Sequence, residues 1–449
     1  MNEKILQIIN AHPINTHELR RELSIMNMVD IGAIFDALAK DKTIQIFRLL
    51  PKDIAANVFA HIETDKQQII VEALTDNEVG HIIEGLFSDD AADFIEEMPA
   101  NVVNRVLRSV SDEKRATINQ LLQYPDDSVG SIMTTEYMTL REDFNLIEAF
   151  AEIREKKMKG LHTCYIVRRD KLLVGSVTLK TLLLAKEHER IGDIMRPTVI
   201  SAQTLDDQEK AARLFRKYDL LSLPVVDKEG RMVGIITVDD AVEIVEEETT
   251  EDFEKMAAIL PTEDPYLKIG VFKHAYKRVG WLLILMLAAI FTELVIADAE
   301  DFLARMPVLL VFMPMLMDMG GNVGSQTSTL IIRSMALDEI VFRDVLKVWW
   351  REFRVAALCG VLLSVLNALR IIVFNREDDV FFLTLTVSLT LVTVIILSKS
   401  LGCLLPMTAK KLRLDPAVLA TPIIKTLADV VALVMYFAIA AMLLPGLRG

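Results

Sequence analysis

Polar side chains interrupt an otherwise apolar stretch at residues 313–336, MPMLMDMGGNVGSQTSTLIIRSMA. Polar groups are costly at membrane depth, and they persist there only where they face protein or water. Asn322 and Gln326 are one helical turn apart, so their amides share one face of a helix. Packing between helices through small residues would explain the glycines alone. The glycines together with these amides and Arg333 favour a water-filled pathway.

The adjacent glycines Gly320 and Gly321 leave the backbone of this stretch two options. Glycine can loosen a helix, or its missing side chain can let a neighbouring backbone approach closely. Asp318 lies just before the pair, next to any break that forms. The sequence leaves both options open.

Charged residues in other apolar stretches are candidates for the same pathway. Asp429 and Glu293 each lie inside one, where a charge at the centre of a membrane helix costs about 2.5–3.5 kcal/mol. A carboxylate of Asp429 that faced a pore would concentrate cations, and with amides and carbonyls it could hold a largely hydrated Mg²⁺. For Glu293, an ion pair with Arg333 and a structural position near the outer surface both remain open.

A third group of carboxylates crowds residues 239–259, DDAVEIVEEETTEDFEKMAAI, which have a helical pattern. Glu248, Glu251 and Asp252 share one face, and like charges at this spacing destabilise a helix by roughly 0.2–0.5 kcal/mol per pair. A solvated acidic face and a divalent-cation site both explain the run, because hard cations bind carboxylate oxygens. All seven histidines precede residue 275 without clustering, which argues against a zinc-type site.

These residues belong to a chain of 449 residues with two compositions. Apolar residues make up 52% and charged residues 25%, but no apolar run long enough to span a bilayer precedes residue 278. The net charge of −14 argues against nucleic acid as a partner and favours cations. The three cysteines are too widely spaced to indicate a disulfide framework. The first residues, MNEKILQIINAH, lack a signal-peptide pattern, so we expect the soluble part in the cytoplasm.

Five apolar stretches have the length of transmembrane helices. They lie at 279–297, 306–333, 354–374, 380–405 and 417–444. Basic residues concentrate after the second and fourth stretches, and the positive-inside rule places these connections in the cytoplasm with the amino-terminal half. The carboxyl terminus then lies outside. Residues 337–353, with Trp349 and Trp350, are predicted to form an interfacial helix.

The amino-terminal part of the chain carries a short repeat. Residues 51–122 divide into six units of 12, each opening with a polar cap and closing on an apolar pair at helical spacing. This pattern predicts short helices stacked into a solenoid, an all-α superhelical N domain. Asp89 and Asp90 lie at the cap of the fourth unit, where helix capping is the simplest explanation of an acid.

Residues 125–248 contain β-rich runs that alternate with helical stretches, and the pattern occurs twice. The two copies resemble tandem CBS domains, which are α/β regulatory modules that often bind adenine nucleotides. The second copy is the cleaner match, and the resemblance implies ATP binding at Thr237 and Asp240, with the carboxylate on the ribose. In the first copy the position equivalent to Asp240 is Thr181.

Taken together, the chain resembles the MgtE family of bacterial magnesium channels over nearly its full length. The most specific matches are the stretch 313–336, EEETTEDF and LRLDPAVLATP with the later LADV. The family order implies a multidomain fold: a helical N domain (1–124), tandem CBS domains (125–240, divided into 125–187 and 188–240), an acidic connecting helix and linker (241–275) and an all-α membrane domain (276–449) with five transmembrane helices. It further implies a homodimer in the plasma (inner) membrane, with the pore on the dimer axis.

The resemblance assigns roles to individual residues. Asp429 would be the acid of the pore ion site, and Asp415 would lie at its cytoplasmic mouth. The predicted pore lining is Gly321, Asn322, Gln326, Thr421 and Lys425. The predicted cytoplasmic Mg²⁺ sensor comprises Asp89, Asp90, Asp207, Glu209, Asp219, Asp240, Glu248, Glu251 and Asp252.

The implied mechanism is a feedback gate. At high cytoplasmic Mg²⁺, ions bridge the acidic surfaces and hold the pore shut; at low Mg²⁺ the surfaces repel and the pore opens. Two residues depart from the family pattern: Thr421 stands where relatives can have asparagine, and Lys425 stands where a small or neutral residue is expected. Lys425 could pair with Asp429 one turn later, or extend to the cytoplasm.

Two other functions are compatible with these features. A transporter or exchanger of Co²⁺ or Mn²⁺ would keep the fold, although the predicted pore offers no histidine or cysteine to a soft metal. A membrane-anchored sensor of Mg²⁺ or nucleotide would not transport at all. Ion flux that requires Asp429 separates these hypotheses from a magnesium channel. An enzyme is not predicted, because the sequence has no P-loop, nucleophile elbow or metallohydrolase signature.

Overall fold

A computed structural model describes residues 3–11, 15–156, 158, 161–262, 266–374, 380–418 and 421–444. The chain divides into two compact units, residues 1–245 and 246–449. The first unit holds the short helices and the two small sheets, and the second holds the long apolar helices. The fold class predicted from the sequence is confirmed.

Ten helices precede the sheets within the described residues. They are α1 (Glu3–Asn10), α2 (Thr16–Ile25), α3 (Met28–Asp36), α4 (Lys40–Phe47), α5 (Lys52–Ala60), α6 (Thr64–Ala73), α7 (Asp76–Gly85), α8 (Ser88–Glu96), α9 (Ala100–Ser109) and α10 (Asp112–Leu121). From α2 onward, successive helices begin 12 residues apart. The six predicted units are α5 to α10, and the period also includes three earlier helices that the sequence pattern did not reveal.

An aromatic ladder shows how the repeat packs. Phe35, Phe47 and Phe59 occupy the same position in three successive helices, and their rings meet edge to face with centroids 6.0 and 6.1 Å apart. Phe94 continues the ladder against Phe59 at 5.2 Å. Such edge-to-face pairs add about 0.5–1.5 kcal/mol each to the gain from burial. One continuous core therefore runs through the repeat.

Two three-stranded sheets follow, and they have the same topology. The elements are β1 (Thr139–Leu140), α11 (Leu146–Lys156), β2 (Thr163–Val167), β3 (Leu173–Thr178), α12 (Leu179–Leu184), α13 (Ile191–Ile194), β4 (Ala202–Gln203), α14 (Gln208–Tyr218), β5 (Ser222–Val226) and β6 (Met232–Thr237). In each sheet the first strand pairs parallel with the second, and the second pairs antiparallel with the third. The twofold β-rich pattern of the sequence thus corresponds to two equivalent sheets.

The acidic helix α15 (Val238–Met256) continues directly from β6, three residues before the boundary predicted at residue 241. The helices of the candidate membrane spans follow in the second unit. They are α16 (Val271–Ala288), α17 (Ile290–Asp298), α19 (Met313–Ala336), α20 (Val345–Phe374), α21 (Val380–Lys411) and α22 (Thr421–Leu443), with the short α18 (Glu300–Arg305) and 3-10 turns at Pro307–Val311 and Phe342–Asp344. α16 and α17 together form the first of five candidate membrane spans. Residues 419 and 420 of the predicted fifth span lie outside the described residues.

The predicted interfacial helix at 337–353 is wrong. Residues from Val345 onward belong to α20, which runs unbroken to Phe374. Trp349 donates a hydrogen bond from its indole nitrogen to Oγ of Ser400 on α21 at 3.0 Å, and Trp350 stacks on Phe353. No proline or glycine interrupts the helix before Gly360, so nothing in the sequence separates an interfacial segment from the span.

Candidate functional site

The glycines of α19 form the surface against which α21 and α22 pack. A Cβ placed on Gly321 would lie 2.7 Å from Cγ of Lys425, and one on Gly324 would lie 2.8 Å from Cγ2 of Ile424. A Cβ on Gly402 of α21 would lie 2.3 Å from the carbonyl oxygen of Gly324. α19 is continuous through Gly320 and Gly321. Of the two options open from the sequence, the glycines therefore serve close helix packing and do not loosen the helix.

A groove of about 690 Å³ runs beside this packing surface. Its lining residues come from α19 and α22: Asn322, Ser325, Gln326, Thr329, Leu330 and Lys425. Asn322 and Gln326 are both exposed, so their shared face is the face of the groove. The groove thus combines amide and hydroxyl groups with one ammonium group.

Two carboxylates lie one helical turn from a lining residue, Asp318 from Asn322 and Asp429 from Lys425. Asp318 on α19 accepts a hydrogen bond from Nδ2 of Asn322 at 3.0 Å. Asp429 on α22 is partly buried, and its Oδ1 has no hydrogen-bond partner within the described residues. The two carboxylates are near enough for their charges to interact. A carboxylate oxygen without a partner is the type of ligand that hard cations prefer.

Lys425 lies in the groove with its aliphatic chain across Gly321. Its positive charge is close enough to interact with the carboxylate of Asp429. Across the described part of the chain, however, Lys425 forms no ion pair. The ion pair with Asp429 that the sequence left open is therefore not formed. Thr421 is the first residue of α22, and its side chain lies outside what the structure describes.

A buried ion pair in the second unit was not found from the sequence. Nζ of Lys399 on α21 lies 2.8 Å from Oε2 of Glu352 on α20, and it also donates to Oγ1 of Thr327 on α19 at 3.1 Å. The side chains of Lys399 and Glu352 are 10% and 16% exposed. These contacts of Lys399 join α19, α20 and α21. The available signal was the lysine inside the fourth apolar stretch and an acid just before the third one.

Glu293 does not take part in this network. It is exposed on α17, and within the described residues it forms no ion pair with Arg333. The ion-pair alternative raised for Glu293 is therefore not realised.

Asp415 lies on the segment before α22, where it contacts the acidic helix. Nζ of Lys255 lies 2.9 Å from Asp415 and 2.7 Å from Glu251. Partial burial lowers the pKa of Lys255, but hydrogen bonds to Asp415 and then Glu251 outweigh it and raise that pKa overall. Two predicted metal ligands are thus bridged by a lysine ammonium. Glu248 and Asp252 lie on the same helix.

In the first unit, acids of α8 face acids at the start of α15. Asp89 is 8% exposed, and its Oδ1 has no hydrogen-bond partner within the described residues. Burial and then the charge of Asp240 raise its pKa well above the usual range. The same two causes raise the pKa of Asp90 to about 6, with further repulsion from Glu243 and Asp239. We call this set of five residues the acidic surface.

The acidic surface is held in place by contacts around Glu136, which the sequence did not single out. Glu136 precedes β1, and it accepts hydrogen bonds from the backbone and hydroxyl of Ser88 at 3.1 and 2.7 Å. Nζ of Lys114 on α10 lies 3.1 Å away. Burial raises the pKa of Glu136, but hydrogen bonding from Thr134 and the charge of Lys114 lower it overall. These contacts anchor α8 and α10 to the segment before the first sheet.

The remaining predicted sensor residues in the second sheet region have local structural roles. Asp207 accepts a hydrogen bond from the backbone of Glu209 and caps α14. Glu209 pairs with Arg213 at 2.7 Å, and Asp219 ends the helix with a left-handed φ of 51°. Within the part of the chain that is described, no three His, Cys, Asp or Glu side chains converge as a metal site.

The predicted nucleotide residues contact each other. Asp240 accepts hydrogen bonds from the backbone nitrogen of Thr237 at 3.1 Å and from its hydroxyl. In the first copy, the hydroxyls of Thr178 and Thr181 are 2.9 Å apart, beside a groove of about 550 Å³ that also includes Lys180 and Arg196. The two copies therefore use a Thr–Asp pair and a Thr–Thr pair at the same place in the fold.

Comparison with known proteins adds three family matches. A model described as divalent cation transporter, MgtE, matches residues 313–439. A model of the MgtE intracellular N domain matches residues 26–127, and the CBS domain matches 129–188 and 191–247. The matches cover the repeat helices from α3 onward, both sheets and the helices that form the groove.

Similar proteins of full length are also known. A magnesium transporter MgtE of Thermus thermophilus is 33% identical over 436 residues, which cover 96% of each chain. A magnesium transporter MgtE of Bacillus subtilis is 29% identical over 94% of this chain and 93% of its own. A crystal structure of the soluble part of a magnesium transporter superposes with a TM-score of 0.51 at 24% identity, covering 55% of this chain and 97% of that one. This last likeness concerns the fold.

Proposed function

We propose a gated ion pathway for this chain, which belongs to the MgtE family of magnesium transporters. It is a membrane protein, and the function that its relatives support is Mg²⁺ transport. The observation that carries the proposed pathway is the partly buried carboxylate of Asp429. Its Oδ1 has no partner within the described residues, and it lies one helical turn from Lys425, which lines the groove with two amides. Transport of Co²⁺ or Mn²⁺ and sensing without transport are not favoured.

The donor set of the groove suits Mg²⁺ better than a softer ion. Mg²⁺ releases water reluctantly and is usually bound through one or two carboxylates together with several retained waters. Asp429 offers a carboxylate oxygen, and Asn322 and Gln326 offer amide oxygens to the ion or to its waters. A groove of about 690 Å³ has room for a hydrated ion. We therefore assign Asp429 as the ion ligand and the two amides as groups that orient its water shell.

The acidic surface supplies the proposed gate. Two carboxylates about 4 Å apart repel by ~4 kcal/mol at an effective dielectric constant near 20, and a dication between them reverses the sign. A bias of ~5.5 kcal/mol shifts a two-state equilibrium from 1:99 to 99:1. Mg²⁺ bound among Asp89, Asp90 and Asp240 would therefore favour the packed arrangement, which we assign to the closed channel.

The acidic helix connects this surface to the pathway along the chain. α15 begins with acids of the acidic surface and ends near Lys255, which contacts Asp415 on the segment before α22. A displacement of α15 would therefore act on the segment that leads to Asp429. Glu248, Glu251 and Asp252 remain proposed sensor ligands on this helix.

We further propose that the protein works as a homodimer with cytoplasmic amino-terminal domains and an external carboxyl terminus. The basic residues from the carboxyl end of α19 to the first turns of α20 support this orientation through the positive-inside rule. They are Arg333, Arg343, Lys347, Arg351 and Arg354.

Adenine nucleotide binding at the CBS pair is a second proposal, supported by Lys180 and Arg196 at the groove of the first copy. Both cations would attract a phosphate.

The test of function is Mg²⁺ uptake into proteoliposomes, with Mg²⁺ varied on the cytoplasmic face. We expect uptake by the wild type, suppression by cytoplasmic Mg²⁺, and loss of uptake in Asp429→Asn. Glu293→Gln is the matched control, because it neutralises another acid of a candidate membrane span, one on α17 and not on α19 or α22, which line the groove. Uptake by Asp429→Asn at the wild-type rate would remove Asp429 from the pathway. Wild-type uptake that cytoplasmic Mg²⁺ does not suppress would reject the gate.

A further inference from the structure

Lys425 presents a difficulty for a cation pathway. Its ammonium group lies in the same groove as Asn322 and Gln326, and its positive charge interacts with the negative charge of Asp429. With Asp429 and Lys425 alone, the formal charge at this place would be zero. A neutral site has little electrostatic attraction for a dication, so the groove needs a further negative group.

Asp318 supplies that group from the opposite helix. Its carboxylate is hydrogen bonded to Asn322, which lines the groove with Lys425, and its charge also acts on Asp429. The formal charge of Asp318, Asp429 and Lys425 together is −1, the same as that of a single acid. The second carboxylate therefore restores the charge that the lysine removes.

The hydrogen bond to Asp318 has a second effect on the groove. An ionised carboxylate only accepts hydrogen bonds, so Asn322 must turn its amino group toward Asp318. The carbonyl oxygen of Asn322 is then the end of the amide that remains for a cation or its water shell. Asp318 thus selects the orientation of this amide that suits a cation.

We infer that Asp318 is a charge-compensating and positioning residue of the Mg²⁺ pathway, required because Lys425 occupies the groove. The inference rests on the proposed function. It predicts a dependence between the two residues: the need for a carboxylate at 318 should disappear when the lysine is removed. A purely structural role of Asp318 in helix packing would not depend on the charge at 425.

The experiment is a double-mutant cycle with Mg²⁺ uptake into proteoliposomes as readout. In Asp318→Asn, which keeps a hydrogen-bond acceptor for Asn322 but loses the charge, the KM for Mg²⁺ should rise by about tenfold or more. In Lys425→Ala the KM should fall. In the double variant it should return to within about threefold of the wild type, since the formal charge is again −1. Asp318→Glu, which retains the charge, should keep most of the uptake.

Outcomes that overturn the inference differ from those that overturn the function. If the wild type transports Mg²⁺ but the double variant is as impaired as Asp318→Asn, the compensation is rejected and the function stands. If Asp318→Asn transports like the wild type, compensation is likewise rejected. If the wild type shows no Mg²⁺ uptake, both fail. Stabilisation of each purified full-length variant by added Mg²⁺ against thermal unfolding gives a readout independent of transport, and it should follow the same order as KM.

Discussion

The groove between α19 and α22 and the acidic surface between α8 and α15 both collect carboxylates, but they balance the charge differently. In the groove, Asn322 donates a hydrogen bond to Asp318, and Lys425 supplies a positive charge. In the acidic surface, Asp90 faces three other acids, and the charge of Lys114 offsets only part of their repulsion. The groove can therefore keep its shape without a metal, whereas the acidic surface is costly until a proton or a cation arrives.

The groove is also supported by tighter packing than the acidic surface is. The groove is backed by glycine contacts and by the Glu352–Lys399 pair, which fix α19 against its neighbours. The acidic surface depends on a few polar contacts around Glu136, at the junction of α8, α10 and the segment before β1. A fixed pathway and a switchable sensor are what a gated transporter needs.

The largest effect is expected from breaking the buried pair. Glu352→Ala leaves the ammonium of Lys399 buried without its counter-charge, which should lower the free energy of unfolding by about 3–5 kcal/mol. Thermal unfolding of the full-length protein in detergent measures this. Lys347→Ala is the control, because Lys347 is 85% exposed in its pair with Asp344 and such pairs contribute about 0–1 kcal/mol. Equal shifts in Tm would mean that the groove is not held by this pair.

A smaller effect is expected from crowding the helix contact. In Gly402→Ala the new methyl group would meet the carbonyl oxygen of Gly324, so α19 and α21 must separate. We expect a loss of about 1–3 kcal/mol in the free energy of unfolding and reduced Mg²⁺ uptake. Gly280→Ala is the control, since a Cβ on Gly280 meets nothing within 4 Å. If both alanine variants behave like the wild type, the close approach is not required.

The smallest effect is expected from pH on the acidic surface. Burial and then Asp240 raise the pKa of Asp90 to about 6, so the packed state binds a proton more tightly than the separated state does. Packing is therefore favoured where Asp90 is protonated, and this advantage is lost as the pH rises through about 6. Without Mg²⁺, the packed state should lose on the order of 1 kcal/mol between about pH 5.5 and about pH 7.5.

Protease cleavage of the linker between α10 and β1 in the full-length, metal-free protein measures this change. Cleavage should be slower at the lower pH, and Mg²⁺ should slow it at the higher pH. Asp90→Asn should weaken the pH dependence without abolishing it, because Asp93, whose pKa burial and then the charge of Asp90 raise to about 7, still titrates in this range. If the wild-type cleavage rate depends on neither pH nor Mg²⁺, the acidic surface does not open and close. The contrast with the groove would then be rejected.

Some of these features could be predicted because their signals are local. The repeat of 12 residues predicts short stacked helices, and one-turn spacing predicts a shared face for Asn322 and Gln326. Both depend only on helix periodicity. The sequence also placed Asp89, Asp90 and Asp240 in one Mg²⁺ sensor, but through a family resemblance and not through spacing.

The contacts that were missed join distant parts of the chain. Lys399 and Glu352 are 47 residues apart, and neither lies in a motif that names its partner. In the sequence, Lys255 is one more charge in a charged helix. In the structure, it forms ion pairs with both Glu251 and Asp415. Composition can show that a charge is costly in an apolar stretch, but only the packing of helices shows which opposite charge offsets it.

The phenylalanine ladder has a consequence for the size of the N domain. Because Phe35, Phe47 and Phe59 occupy one position of a 12-residue unit, inserting or deleting one whole unit moves each ring onto the place of its neighbour. A change of any other length would turn the later rings away from the core. The domain can therefore gain or lose only whole 12-residue units. The number of repeats thus sets the length of the N domain in discrete steps.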